Sequence, residues 1–140
     1  MSDNLEIVGR VLRCYSEQDV DGMLADVHPE VEIDYSASDA PDAGIYHGHA
    51  ECRAFAQGRY DDFGERTLDV LELIDAPPDA VVAVGRMYGR GRASGVAVEA
   101  DSFTLWTLRD RKISRIRLCR SRTDALAAAR TLRRAPTTRP

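Results

Sequence analysis

The apolar positions of this chain change period once, from helical to alternating, and the change divides its predicted elements. Leu5, Val8, Leu12 and Tyr15, with Ile7 and Val11, recur at helical spacing and predict a first helix over about residues 4–17. Asp19 has an N-cap side chain, able to accept an orphan backbone N–H. Val20, Met23, Leu24 and Val27 then follow i, i+3, i+4, i+7 for a short second helix. His28-Pro29 is expected to stop it, since the residue before proline is pushed out of the α region. Residues 31–35 read as a short strand, and 36–44, rich in Ser, Asp, Pro and Gly, as a loop. Gly48 opens a third helix over roughly 49–63, with Cys52, Phe55, Ala56, Arg59 and Phe63 near one side. Gly64 is expected to end it.

From Arg66 the alternation takes over. Strands are predicted over 67–74 and 81–89, followed by a glycine-punctuated hairpin connection, GRGRASG. The stretch from Asp101 to Arg122 reads as two long strands joined by a tight turn at Asp110-Arg111. In the second, Ser114, Ile116 and Leu118 fall on one face, and Arg115, Arg117 and Cys119 on the other. In the first, Ser102, Thr104 and Trp106 share a face. Hydroxyls beside an aromatic suit the wall of a small-molecule pocket, or a core with two satisfied hydroxyls. Ser121-Arg122-Thr123-Asp124 has the pattern of a capping box and starts a terminal helix bearing Ala125, Leu126, Ala129 and Leu132. A single domain over 1–134 is expected, with a disordered tail at 135–140.

Composition narrows the class. With 44% hydrophobic and 30% charged residues in 140, the chain reads as one soluble domain with room for a core. It holds no apolar run of membrane-spanning length, and its N-terminus lacks the blocks of a signal peptide, so a cytoplasmic location is expected. Cys14, Cys52 and Cys119 are odd in number and lack C-x-x-C spacing, so they read as reduced thiols. His47 and His49 are the nearest approach to clustered metal ligands, and no metal or cofactor is expected. Charge is split: residues 1–79 carry net −14 and residues 80–140 net +10. A basic half raises nucleic-acid binding. Its arginines alternate with apolar residues on strands with few aromatics between them, which reads instead as a solvated or subunit-facing sheet surface. A phosphate loop would need a helix after GRGRASG, where more strand follows.

Helix, short helix, short strand, His47-Gly48 before a third helix, then four long strands: this order resembles the nuclear transport factor 2-like superfamily, especially its SnoaL-like branch. Asp19-Val20-Asp21 and the closing LWTLRDRKISRIRLCRSRTDAL carry the resemblance further, over about residues 4–130. It implies an α+β fold: a cone-shaped, curved mixed β-sheet wrapped around three N-terminal helices, with a short C-terminal helix. The cone's interior would be the ligand pocket and the opposite sheet face would pair two subunits, a homodimer. That fold hosts isomerases, dehydratases, cyclases, epoxide hydrolases and non-catalytic modules.

Carried over residue by residue, the resemblance to ketosteroid isomerase places the general-base aspartate on Asp34, the oxyanion donor on Thr104 and the first-helix tyrosine on Tyr15. The strand positions that carry chemistry in limonene epoxide hydrolase fall on Gly85, Met87 and Leu118, which lack the groups. The GxPPTG loop of the founding cyclases is absent, and none of His28, His47 or His49 falls on an interior strand position, as scytalone dehydratase would require. The expected ligand contacts are Tyr15, Tyr35, Tyr60, Met87, Ser102, Trp106, Leu118 and Arg120. Desolvation by Tyr35, Trp106, Met87 and Leu118 would raise the pKa of Asp34 toward that of a working base. The alternative is that Asp34 accepts loop hydrogen bonds from Ser36 or Ser38. Arg120 would be a pocket cation, pairing with Asp34 or an anionic ligand, or a solvated strand end. The implied function is a cofactor-independent isomerase, cyclase or lyase that abstracts a proton, with a polyketide or related metabolite as substrate by family analogy. The alternative is a non-catalytic ligand-binding or dimerising module of the same fold.

Overall fold

The computed structural model describes residues 3–134; the expected disorder of 135–140 lies outside them. The elements run α1 (Asp3–Ser16), α2 (Val20–Leu24), β1 (Val27–Asp34), β2 (Ile45–His47), α3 (Gly48–Asp62), β3 (Phe63–Ala76), β4 (Ala80–Gly91), β5 (Ala97–Arg109), β6 (Lys112–Cys119) and α4 (Arg122–Arg134). The six strands form one mixed sheet in the order β2-β1-β6-β5-β4-β3. Among the described residues only β1 and β6 pair in parallel. This is the α+β half-barrel that the order of elements implies, with α1–α3 on the inner face of a strongly curled sheet.

Caps act where the sequence places them. The Asp19 carboxylate accepts from the Gly22 N–H at 2.9 Å, and the Ser121 hydroxyl accepts from the Asp124 N–H at 3.0 Å. Three boundaries differ from expectation. The second helix stops at Leu24, and Val27 is a strand residue paired with Ile113. Val27 matches both periods, and pairing with β6 decides for the strand. Pro29 therefore lies inside β1, in the stretch where the register against β6 shifts and no ladder bond is lost to it. Gly64 does not end α3: Phe63 is already extended and Gly64 belongs to β3. The three-residue β2 is too short to show a period and is legible only from its pairing with β1.

Alternation sorts the sheet into two cores. Toward α1–α3 point Val31, Ile33, Val81, Trp106 and Ile113, packed with Val8 and Val11. Toward α4, on the outer face, point Val82, Val84 and Leu105, packed with Ala125 and Ala129. A register shift between Val70 and Glu72 leaves Leu71 bulged opposite the stretch around Gly85. A Cβ on Gly85 would lie 3.0 Å from the Asp69 carbonyl oxygen, so glycine eases the close approach of this strand pair. Arg122 ties α4 back to β3 through Glu72, at 2.8 and 3.1 Å. Among the described residues no helix is long and apolar enough to cross a membrane.

The β5–β6 turn puts Asp110 at φ 54° and Arg111 at φ 63°, both left-handed. Aspartate tolerates that region; arginine bears its Cβ penalty there. Arg111→Gly is expected to stabilise the protein by roughly 0.5–1 kcal/mol, the Cβ penalty less the entropy that glycine adds to the unfolded chain. Urea unfolding checks it; the exposed Arg111–Asp3 pair lost in the variant offsets little.

Candidate functional site

The inner face of the sheet meets the helices unevenly and leaves cavities, one of about 150 Å³ beside Tyr60, Phe63 and Arg66 and two that gather most of the expected site residues. A small cavity of about 70 Å³ sits deep in the cone, walled by apolar and aromatic groups including Tyr15, Tyr35, Phe55, Trp106 and Ile116. A larger one of about 480 Å³ opens at the wide end, between loop 36–44, the end of α3 and the ends of β4–β6. Tyr35, Met87, Ser102, Leu118 and Arg120 line this mouth. Tyr35 borders both cavities, its ring edge-on to Phe55 with centroids 4.8 Å apart.

The polar centre of the mouth is Arg59, on α3. Its Nε donates to the Tyr15 hydroxyl at 2.8 Å, and its Nη1 pairs closely with the Asp42 carboxylate from the loop. The guanidinium lies 5.5 Å from the Tyr35 ring centroid and 5.3 Å from that of Phe55, within cation–π range. Its side chain is only 18% exposed. Burial works against its charge, but the oxygens of Tyr15, Tyr35 and Asp42 outweigh that and hold its pKa above the ordinary arginine value. The loop is pinned at the same point: Ser38 donates to Asp42 at 2.8 Å, and the Tyr46 hydroxyl donates to the Asp42 carbonyl at 2.7 Å.

Asp34 is elsewhere. Val31 and Ile33 point inward, so Glu32 and Asp34 point to the outer face. There Asp34 accepts from the Ser36 hydroxyl at 2.6 Å, the Ser36 N–H at 3.0 Å and Arg115 at 3.2 Å. The Ser36 hydroxyl is the chief cause of a pKa below the usual carboxylate value; burial opposes it, and the Ser36 N–H and the charges of Arg115 and Arg117 add to it. Thr104 is inward but 5% exposed, and its Oγ1 accepts from the Trp106 indole at 2.7 Å. Tyr60 is buried against α1: its hydroxyl donates to the Tyr15 carbonyl at 2.6 Å, and burial first of all pushes its pKa up to about 12.

A family model described as a SnoaL-like domain matches residues 8–116. The chain belongs to the SnoaL-like family. Solved structures agree on the fold. An NTF2-like protein (BTH_I0051) from Burkholderia thailandensis E264 is 25% identical, with TM-score 0.76 over 93% of this chain and 98% of its own. TerC, co-crystallised with polyporic acid, is 24% identical, with TM-score 0.73 over 92% and 99%. Rv0760c from Mycobacterium tuberculosis, in complex with estradiol-17beta-hemisuccinate, is 19% identical, with TM-score 0.73 over 89% and 98%. No curated protein matches the sequence.

In this SnoaL-like chain the expected site residues therefore separate. Five line the mouth, Tyr15 and Trp106 join Tyr35 at the inner cavity, Thr104 is buried against Trp106, and Tyr60 is bonded to α1 beside the cavity of about 150 Å³. Asp34 as a desolvated, inward base is corrected: one residue of strand parity turns it outward, and serine and arginine partners depress its pKa rather than raise it. The reading in which Ser36 satisfies Asp34 is the one the geometry follows. Sequence reasoning missed Arg59 and Asp42 as a pair. Arginine on the apolar side of the third helix, beside Cys52, Phe55 and Ala56, was the available signal.

A carboxylate with a depressed folded pKa adds stability that is fully present above its unfolded value and lost as pH falls through the folded one. Asp34→Asn is thus expected to cost no more than about 1 kcal/mol at neutral pH after solvent screening. The gap should close as pH falls through the folded pKa of Asp34, below its ordinary carboxylate value, where wild type is protonated too. Urea titrations across pH check both ends.

Proposed function

We propose that this SnoaL-like chain binds a small, largely apolar molecule bearing an acidic oxygen in the mouth of its cone, without metal or cofactor. The observation that carries this reading is Arg59. Burying a guanidinium among aromatic rings is costly unless it is paired, and here Tyr15 and Asp42 hold it against the wall of a cavity of about 480 Å³, leaving Nη2 for a ligand. That volume suits an organic molecule of a few rings. An anionic or enolic oxygen would accept a charge-assisted bond from Nη2, and its apolar body would lie on Tyr35, Met87 and Leu118. Relatives that hold polyporic acid and a steroid hemisuccinate support the same ligand class.

Binding is favoured over an isomerase, cyclase or lyase that abstracts a proton. With Asp34 outside, the carboxylates at the mouth are Asp39, Asp42, Asp62 and Asp101. Asp42 is bonded by Arg59 and Ser38, Asp101 by Arg86, Asp39 and Asp62 are exposed, and none lines the apolar inner cavity. Pairing of two copies through the outer sheet face belongs to the proposal only where α4 leaves that face open, around Tyr88 and the Arg86–Asp101 pair.

Fluorescence titration with naphthoate and the uncharged naphthamide tests the reading. Wild type is expected to prefer naphthoate, and Arg59→Gln to lose about tenfold in naphthoate affinity with little change for the amide. Arg59→Lys should fall between, and Asp34→Asn should bind as wild type. Equal affinity of wild type and a folded Arg59→Gln for naphthoate would sink the assignment.

A further inference from the structure

Between the end of α1 and the start of β3 lies the cavity of about 150 Å³. Tyr60, Phe63 and Leu68 form its apolar side, and Ser16, Gln18 and Arg66 its polar one. Among the described residues Arg66 is the one charged group that lines it. Arg66 shares the inner face of β3 with Leu68, and its partner across the ladder, Gly89, has no side chain to cover it.

Other arginines against the body of this fold have acids to meet: Arg59 has Asp42, and Arg115 has Glu32 and Asp34. Arg66 makes no hydrogen bond or ion pair among the described residues, and its Nε is buried without an acceptor. Its guanidinium carbon lies 4.8 Å from the centroid of the Tyr15 ring. A ring face offsets part of a desolvated charge, but it does not take the place of an oxygen acceptor. Of the three guanidinium nitrogens Nε alone is enclosed, so Nη1 and Nη2 remain reachable.

The ordinary structural use of an arginine here would be to bond the last carbonyls of α1. Those carbonyls are already taken. The Glu17 N–H donates to Arg13 at 3.0 Å, the Gln18 N–H to Tyr15 at 3.1 Å and the Asp19 N–H to Cys14 at 2.8 Å. Gln18 makes this closing turn at φ 60°, where glycine is the usual residue. The Ser16 hydroxyl and the Gln18 amide side chain have no partner among the described residues. Acids next to them in the chain do not answer Arg66: Asp19 accepts from the Gly22 N–H, and Glu17 is exposed and does not line the cavity. With its carbonyls bonded, the end of α1 opposes an anion less than a bare helix end would.

We infer that this cavity is a second binding site, for a small carboxylate up to the size of benzoate, with Arg66 as its anchor. The carboxylate accepts from Nη1 and Nη2 of Arg66, and Ser16 and Gln18 supply further donors. Its body lies on Phe63 and Leu68. A cavity of about 150 Å³ accommodates one six-membered ring. The planar fork of the guanidinium matches a carboxylate, and one unpaired positive charge matches a monoanion. Phe63 borders the mouth as well, but the anchoring groups of the two sites are separate, so this site does not depend on the mouth being occupied.

The test is a titration of 15N-labelled protein with benzoate, benzamide and inorganic phosphate at constant ionic strength. The amide signals of Ser16 and Gln18 are followed apart from those of Ser38 and Ser102 at the mouth. At Ser16 and Gln18, wild type is expected to bind benzoate about tenfold more tightly than benzamide. Arg66→Gln, its fold confirmed by a dispersed spectrum, should lose about tenfold in benzoate affinity at those two signals and keep the response at the mouth. Arg59→Gln should leave the Ser16 and Gln18 response as it was. Equal response of wild type to benzoate and benzamide, tighter binding of phosphate than of benzoate, or a benzoate response that survives in folded Arg66→Gln overturns the site. Each of these results leaves the mouth standing, because they read signals and an arginine that the mouth does not use. Should Arg66→Gln fail to fold, the wild-type comparison of benzoate with benzamide and phosphate still decides.

Discussion

The parallel pairing of β1 with β6 is the constraint on which the rest of the molecule depends. It joins segments some eighty residues apart, and everything between them serves as the crossover that a parallel pair requires. Its register sets Ile33 beside Ile116 and Asp34 beside Arg117. The first match closes the inner wall of the cone against the helices. The second sends the acids of β1 to the outside. Because both strands end at the same lip, loop 36–44 leaves β1 over the mouth and the start of α4 leaves β6 beside it.

The same pairing explains the divided charge of the chain. The acidic first half and the basic second half are complementary parts of one fold. Arg115 meets Glu32 and Asp34, Arg109 meets Glu30, Arg111 meets Asp3, and Arg122 meets Glu72, each across the division. Most of these pairs are well exposed and individually contribute little. Together they neutralise the basic strand face that would otherwise invite nucleic acid.

Arg59 sets a charge against the apolar interior, beyond the single buried hydroxyl of Thr104 that the Trp106 indole satisfies. An uncompensated guanidinium in that position would cost several kcal/mol. Tyr15 from α1, Asp42 from the loop and the faces of Tyr35 and Phe55 compensate it. The cluster holds α1, α3 and the loop to one point, so the polar centre of the site also fixes the shape of the mouth. The inner cavity beyond Tyr35 has no such group and stays apolar.

Period and capping determined most of the architecture without the structure. The first helix, the Asp19 and Ser121 caps, the Asp110-Arg111 turn and the four long strands follow from local chemistry that acts over a few residues. The side of the sheet that Asp34 faces was also written in VEIDY, where Val31, Ile33 and Tyr35 alternate with Glu32 and Asp34. The likeness to an enzyme with an aspartate at that strand end pointed the other way. Tertiary structure alone decided that Val27 joins a strand, that Arg59 finds Asp42 and Tyr15, and that the mouth opens where β1 and β6 end. Those outcomes depend on contacts between residues distant in the chain, and no local propensity carries information about which distant partner a side chain will meet.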